Sequence, residues 1–97
     1  VRFQPSKTLS DGHIATRRYY RLLVKDAPGV LAAIAEVFGQ HGVSIASVWQ
    51  EGTGDDAMLL LITHRALERA QDDAVAALES LDAVNEVAAV LRVLIAD

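Results

Sequence analysis

Apolar residues change their period along this chain, and the changes divide it into elements. From Arg17 to Val24 the period is two: Tyr20, Leu22 and Val24 fall on one side, Tyr19, Arg21 and Leu23 on the other. That alternation predicts a β-strand. Val30, Leu31, Ile34, Val37 and Phe38 then recur at helical spacing, predicting a helix over 30–40 that stops at His41-Gly42. A second strand is expected over 43–50. The Gly- and Asp-rich hexad Glu51–Asp56 reads as a hairpin loop into a third strand over 57–63. This third strand is apolar at every position but its last, so it is expected to be covered on both faces or central in a sheet. Leu67, Ala70, Ala74, Leu78 and Leu81 mark a second amphipathic helix, with Glu68, Arg69, Gln71, Asp72, Asp73 and Glu79 assigned to its outer face. Alternation resumes from Val84 to Ile95 as a last strand.

The order is βαββαβ. Two right-handed crossovers interleave such elements into an α+β, ferredoxin-like sandwich: a four-stranded antiparallel sheet with two helices on one face. The other face is then left open, and Leu23, Val48 and the apolar third strand suit water poorly. A homo-oligomer, at least a dimer, is expected through a sheet face or edge. Residues 1–16 are polar and irregular and read as an N-terminal arm or linker, with residues 17–97 as the folded domain. A first residue of Val rather than Met points to a piece of a longer polypeptide.

Between the first strand and the first helix lies Asp26-Ala27-Pro28-Gly29-Val30-Leu31. Pro28 is expected at the first helical position, where its missing N–H costs nothing, and it drives Ala27 into extended backbone. Gly29 leaves the backbone open to a close neighbour. The outcome is a sharp corner with bare helix amides beside a carboxylate. Such a corner suits a small zwitterion, the amides and helix dipole taking its carboxylate and Asp26 its ammonium. The plainer reading of Asp26 is a capping or turn carboxylate.

Composition narrows the functions. A chain of 97 residues makes one domain with a thin core. Its hydrophobic content of 52% with only 5% aromatics means that Ala, Val, Leu and Ile fill the interior. A net charge of −4 argues against nucleic acid or an acidic membrane as partner. Without cysteine there are no disulfides or thiolate metal sites, which fits a cytoplasmic setting. No apolar run approaches the ~18–20 residues of a membrane span. His13, His41 and His64 lack the spacing of a metal site and are read as surface residues. Trp49 is read as an interface residue, and Gln50 as a surface amide that could touch a ligand.

Because this fold hosts unrelated functions, the residues must decide. A metal carrier would need a Cys pair after the first strand. An RNA binder would need stacking aromatics on the central strands and a basic surface. An acylphosphatase-like enzyme would need an Arg in the loop where Asp26 stands. No nucleophile–base pair is discernible, so no catalytic residue is assigned. There is no G-x-G-x-x-G fingerprint either, so no cofactor site is assigned to this chain.

The corner 26–31, together with Phe38-Gly39-Gln40-His41-Gly42-Val43-Ser44-Ile45, resembles the ACT domain, a regulatory module that binds amino acids. More narrowly, Arg18–Leu22, His41–Gln50 and Thr63-His64-Arg65-Ala66 are similar to the C-terminal regulatory domain of bacterial homoserine dehydrogenases. The resemblance implies an allosteric effector site at a subunit interface. The corner of one copy (Asp26, Ala27, Pro28, Gly29, Val30 and Leu31) would face the second strand of another (Gly42, Val43, Ser44 and Ile45). Asp26 would hold the ammonium, the amides of Gly29, Val30 and Leu31 the carboxylate, and Ser44 a polar side chain such as the hydroxyl of threonine, the favoured effector. NAD(P) is implied only for the catalytic part of the suspected parent enzyme, to which residues 1–16 would connect. A module that only assembles subunits, without sensing, is the alternative.

Overall fold

The computed structural model describes residues 2–5, 14–54 and 57–94. Its elements are β1 (Arg2–Pro5), β2 (Ala15–Val24), α1 (Val30–Gln40), β3 (Ile45–Glu51), β4 (Met58–Thr63), β5 (Ala66–Leu67), α2 (Glu68–Glu79) and β6 (Val84–Leu94). The sheet runs β1-β6-β2-β4-β3, every neighbouring pair antiparallel, and β5 pairs with the start of β2. Without β1 and β5 this is the expected βαββαβ sandwich.

The arm departs from its expectation. Arg2–Pro5 forms an edge strand on β6, with Phe3 opposite Val93. Ala15 and Thr16 extend β2 and pair with Leu67 and Ala66. A run of four residues that ends in Pro is too short for its alternation to mark a strand. Val1 and residues 6–13, which include His13, lie outside the described residues, as do Asp55, Asp56 and residues 95–97.

Both helices pack on one face of the sheet. Tyr20, Leu22 and Val24 of β2 and Leu59 and Leu61 of β4 form the core with Ile34, Val37 and Phe38 of α1 and Ala74 and Leu78 of α2. The rings of Tyr20 and Phe38 meet edge to face at 5.1 Å, a favoured aromatic geometry. Alternation leaves Leu23 of β2 and Met58, Leu60 and Ile62 of β4 on the opposite face, each only half-buried. The third predicted strand is therefore central but covered on one side only.

Helix α1 ends in a Schellman motif. The Val43 N–H donates to the Phe38 carbonyl at 2.9 Å and the Gly42 N–H to that of Gly39 at 3.0 Å, with Gly42 at φ +73°. Val43 and Phe38 are both buried, supplying the apolar contact typical of this cap. Val43 thus belongs to the helix stop, and β3 begins at Ile45, two residues later than the alternation predicts.

Helix α2 carries the largest surprise. Glu68 and Gln71, assigned to its outer face, are buried at 1% and 0% exposure. They share a stripe with Ala74 and Leu78 at spacings of three and four, so geometry permits burial, and partners make it tolerable. Arg92 of β6 grips Glu68 with Nη2 to Oε1 at 2.8 Å and Nε to Oε2 at 3.0 Å. The Thr16 hydroxyl donates to Glu68 Oε2 at 2.6 Å. Arg18, itself 1% exposed, donates to Asp72 at 2.8 Å and lies 3.9 Å from Glu68. Gln71 accepts from the Tyr20 hydroxyl at 2.9 Å and donates to the Thr16 carbonyl at 2.8 Å.

Candidate functional site

The corner is built as a turn before it is a helix. Ala27 to Val30 form a β-turn with Pro28 and Gly29 at its centre. Gly29 has φ +81° and ψ −2°, and the Val30 N–H points at the Ala27 carbonyl at 3.4 Å. These are the angles of a type II turn, which wants Pro at its second position and a left-handed residue at its third. Pro28 is therefore not the first helical residue; α1 starts at Val30, with Gly29 as its N-cap. Nothing lies within 4 Å of where a Gly29 Cβ would stand, so within this chain the glycine serves the backbone angle and not a close approach.

No side chain caps α1. Asp26 points elsewhere: its Oδ2 accepts from the Gly54 N–H at 3.1 Å, tying the corner to the β3–β4 loop. Neither the capping reading nor a free carboxylate describes it fully. Among the described residues no hydrogen bond forms from the amides of Gly29 and Leu31, whereas Val30 spends its amide on the turn.

A cavity of about 210 Å³ opens at this corner. Asp26, Ala27, Gly29, Val30 and Leu31 line it, joined by Lys25, Gln50 and Leu59. That volume is below the ~300–1,000 Å³ of drug-sized pockets and leaves room only for a small molecule. Pro28 lies on the far side of the turn, in a shallower groove of about 400 Å³ with Leu81 and Ala83. There the Lys25 ammonium pairs with Asp82 at 2.9 Å, exposed to solvent.

Sequence reasoning missed Lys25 and Leu59 as cavity residues and ranked Gln50 as surface. The signal for Gln50 was its parity. Gln50 pairs with Leu59, and Leu59 with Leu22, so Gln50 must face the helix side at the corner end of β3. Gly42, Val43, Ser44 and Ile45 stand at the other end of β3, where Ile45 pairs with Thr63 and the Ser44 carbonyl accepts from the His64 N–H at 2.8 Å. The chain does not bring these four to the corner; only another copy could.

The burial of Val24 at 2% removes it from any polar role. The Tyr20 hydroxyl, enclosed with Gln71, has its pKa pushed up to about 12 by burial.

Comparison with known proteins places this architecture. The ACT domain family matches residues 21–83, a span from mid-β2 to the residue before β6. The chain is 43% identical over 94 residues to a homoserine dehydrogenase of Mycobacterium leprae, covering 91% of this chain and 21% of that protein. With a homoserine dehydrogenase of Pseudomonas aeruginosa it shares 41% over 70 residues, 69% of this chain and 16% of that protein. The crystal structure of a homoserine dehydrogenase from Thiobacillus denitrificans superposes with a TM-score of 0.72 at 33% identity, covering 84% of this chain and 18% of that one. The chain thus spans about a fifth of the length of such relatives. With the turn, the Schellman stop and both helices inside the matched span, the chain belongs to the ACT domain family.

Proposed function

We propose that this chain is the effector-sensing domain of a homoserine dehydrogenase, and that it binds an amino acid, threonine first among candidates. The supporting observation is the corner cavity, lined by Asp26, Gly29 and Leu31 among others, with the amides of Gly29 and Leu31 unbonded among the described residues. In this reading the amides and the α1 dipole take the effector carboxylate. Asp26 takes the ammonium through the oxygen that Gly54 leaves unused. Gln50, on the same wall, reaches the effector side chain. A second copy in a dimer or larger homo-oligomer contributes Gly42–Ile45, with Ser44 as a hydroxyl partner. NAD(P) belongs to the catalytic part of the parent enzyme, and the setting is cytoplasmic.

An effector of about eight heavy atoms binds with roughly −4 to −8 kcal/mol, millimolar to micromolar. Titration calorimetry with a panel of amino acids tests the reading: heat is expected with threonine and is lost in Asp26→Ala. A chain that keeps its oligomer and gives no heat with any amino acid at millimolar concentration is an assembly module instead.

A further inference from the structure

The sheet face away from the helices offers an interaction surface that the effector corner does not use. Its register is fixed by pairing. Trp49, Leu60, Arg21 and Ala89 form one row across β3, β4, β2 and β6, and Glu51, Met58, Leu23 and Glu86 form the next. Residues directly opposite share a face. The centre is apolar, with Leu60, Met58 and Leu23 half-buried and Trp49 50% exposed. Arg21 and Glu51 are both exposed and stand on opposite flanks of β4. Neither forms an ion pair within the described chain.

We infer that a second copy of this chain packs on this face about a two-fold axis passing over β4 between Leu60 and Met58, pairing Arg21 of each copy with Glu51 of the other. The placement follows from the register. Arg21 lies one strand to one side of β4 and Glu51 one strand to the other, one row apart, so the midpoint between them falls between Leu60 and Met58. A two-fold axis in the plane of contact, through that midpoint and perpendicular to the line joining Arg21 and Glu51, exchanges the two charges, and both copies gain a pair. Apolar residues then occupy the centre and charged residues the rim, the usual anatomy of a specific interface. The interface is isologous, as closed dimers require. Two strand rows plus their neighbours give a footprint of roughly 20 by 20 Å at about 4.8 Å per strand. That footprint, roughly half the ~800 Å² per partner of a standard interface, makes the contact a weak one. The effector corner lies on the helix side of β3, so this face does not depend on the effector reading.

Sedimentation equilibrium of the chain from about 1 to 200 µM tests the inference. The wild-type mass is expected to rise with concentration, and Arg21→Glu, which sets like charges together, weakens that association at least tenfold. The double variant Arg21→Glu/Glu51→Arg restores it to within about threefold, while Arg21→Glu/Glu86→Arg does not. Circular dichroism confirms that each exposed substitution leaves the fold intact. An unchanged mass profile in Arg21→Glu overturns the proposal, and so does rescue through Glu86→Arg in place of Glu51→Arg. Amino-acid heats measured on Arg21→Glu separate this interface from the effector site: heat that persists in a variant with weakened association leaves the two independent.

Discussion

Replacing Glu68 with Ala should destabilise this domain more than any exposed substitution, although Glu68 lies far from the candidate site. Glu68 is 1% exposed and receives two hydrogen bonds from Arg92 and one from Thr16, with Arg18 at 3.9 Å. The substitution removes the only carboxylate facing Arg92 among the described residues and half of the countercharge around the buried Arg18. Hydrogen bonds to charged groups are worth about 1.5–3 kcal/mol each, and the loss falls chiefly on Arg92, 24% exposed, since the buried Arg18 keeps Asp72 at 2.8 Å. Breaking a buried pair from one side costs about 3–5 kcal/mol. Against a total stability of about 5–15 kcal/mol, that is a large fraction. At about 4–8 °C per kcal/mol for a domain of this size, the melting temperature falls by at least ~12 °C. Urea denaturation followed by far-ultraviolet circular dichroism measures it, with Lys25→Ala as control. The Lys25–Asp82 pair is 47% and 98% exposed, so that control should stay within about 0.5 kcal/mol of wild type. In a double-mutant cycle with Arg92→Ala, the double variant should lose about 1–3 kcal/mol less than the sum of the singles. A Glu68→Ala loss below about 1 kcal/mol, no larger than the control, refutes the reasoning.

Gly29→Ala forces a left-handed angle of φ +81° on a residue with a Cβ that meets no neighbour, so the cost is backbone alone, about 1–2 kcal/mol in urea. Gly42→Ala, at φ +73° in the Schellman stop, should cost a similar amount by the same assay. Tyr20 supplies a pH test. Burial raises its folded pKa to about 12 from an ordinary value of 10.0, so the unfolded chain releases this proton first. Its contribution is complete below pH 10 and is lost as pH rises through about 12, so the urea midpoint should fall across that window in wild type and less in Tyr20→Phe.

What the sequence made legible was whatever a period or a turn rule encodes. Alternation at Tyr20, Leu22 and Val24 and helical spacing at Val30, Ile34 and Phe38 located β2, α1 and the core. Gly42 marked the helix stop. Pro28-Gly29 marked a sharp corner but misnamed its type, because Pro serves equally as a first helical residue and as the second residue of a type II turn; only the Gly29 angle separates them. Glu68 and Gln71 were hidden for a different reason. A polar residue on a helix reads as solvent-facing unless its partners are known, and these partners come from Thr16, Tyr20 and Arg92, far away in the chain. Lys25 joined the cavity unseen because a residue just past a strand has no parity to follow. β1 escaped because an edge strand on β6 need not bury a face.

The two ends of β2 are held in unlike ways, and this constrains how an effector at the corner could act. At the Ala15 end, the buried network ties β2, β6 and α2 together, and β5 pairs with the same residues. At the corner end, β2 slips against β6 twice, between Arg21 and Leu22 and between Leu23 and Val24. There, among the described residues, backbone bonds from Val24 to Ala57 and from Lys25 to Ala83 hold the base of the corner, and its tip is joined to the β3–β4 loop by an exposed side-chain hydrogen bond, Gly54 N–H to Asp26. Such a bond is worth about 0.5–1.5 kcal/mol, comparable to the ~1–3 kcal/mol of a typical allosteric coupling. An amino acid bridging the corner therefore competes with forces of its own size locally, whereas the far end resists deformation by several times as much. Effector binding should close the corner on whatever lies against β3 and shift the remainder of the domain as one body, with little change inside the core. An effector-induced change in hydrogen exchange confined to residues 25–31 and 50–54 fits that picture; comparable changes at Thr16, Glu68 and Arg92 would mean that the network itself is the moving part.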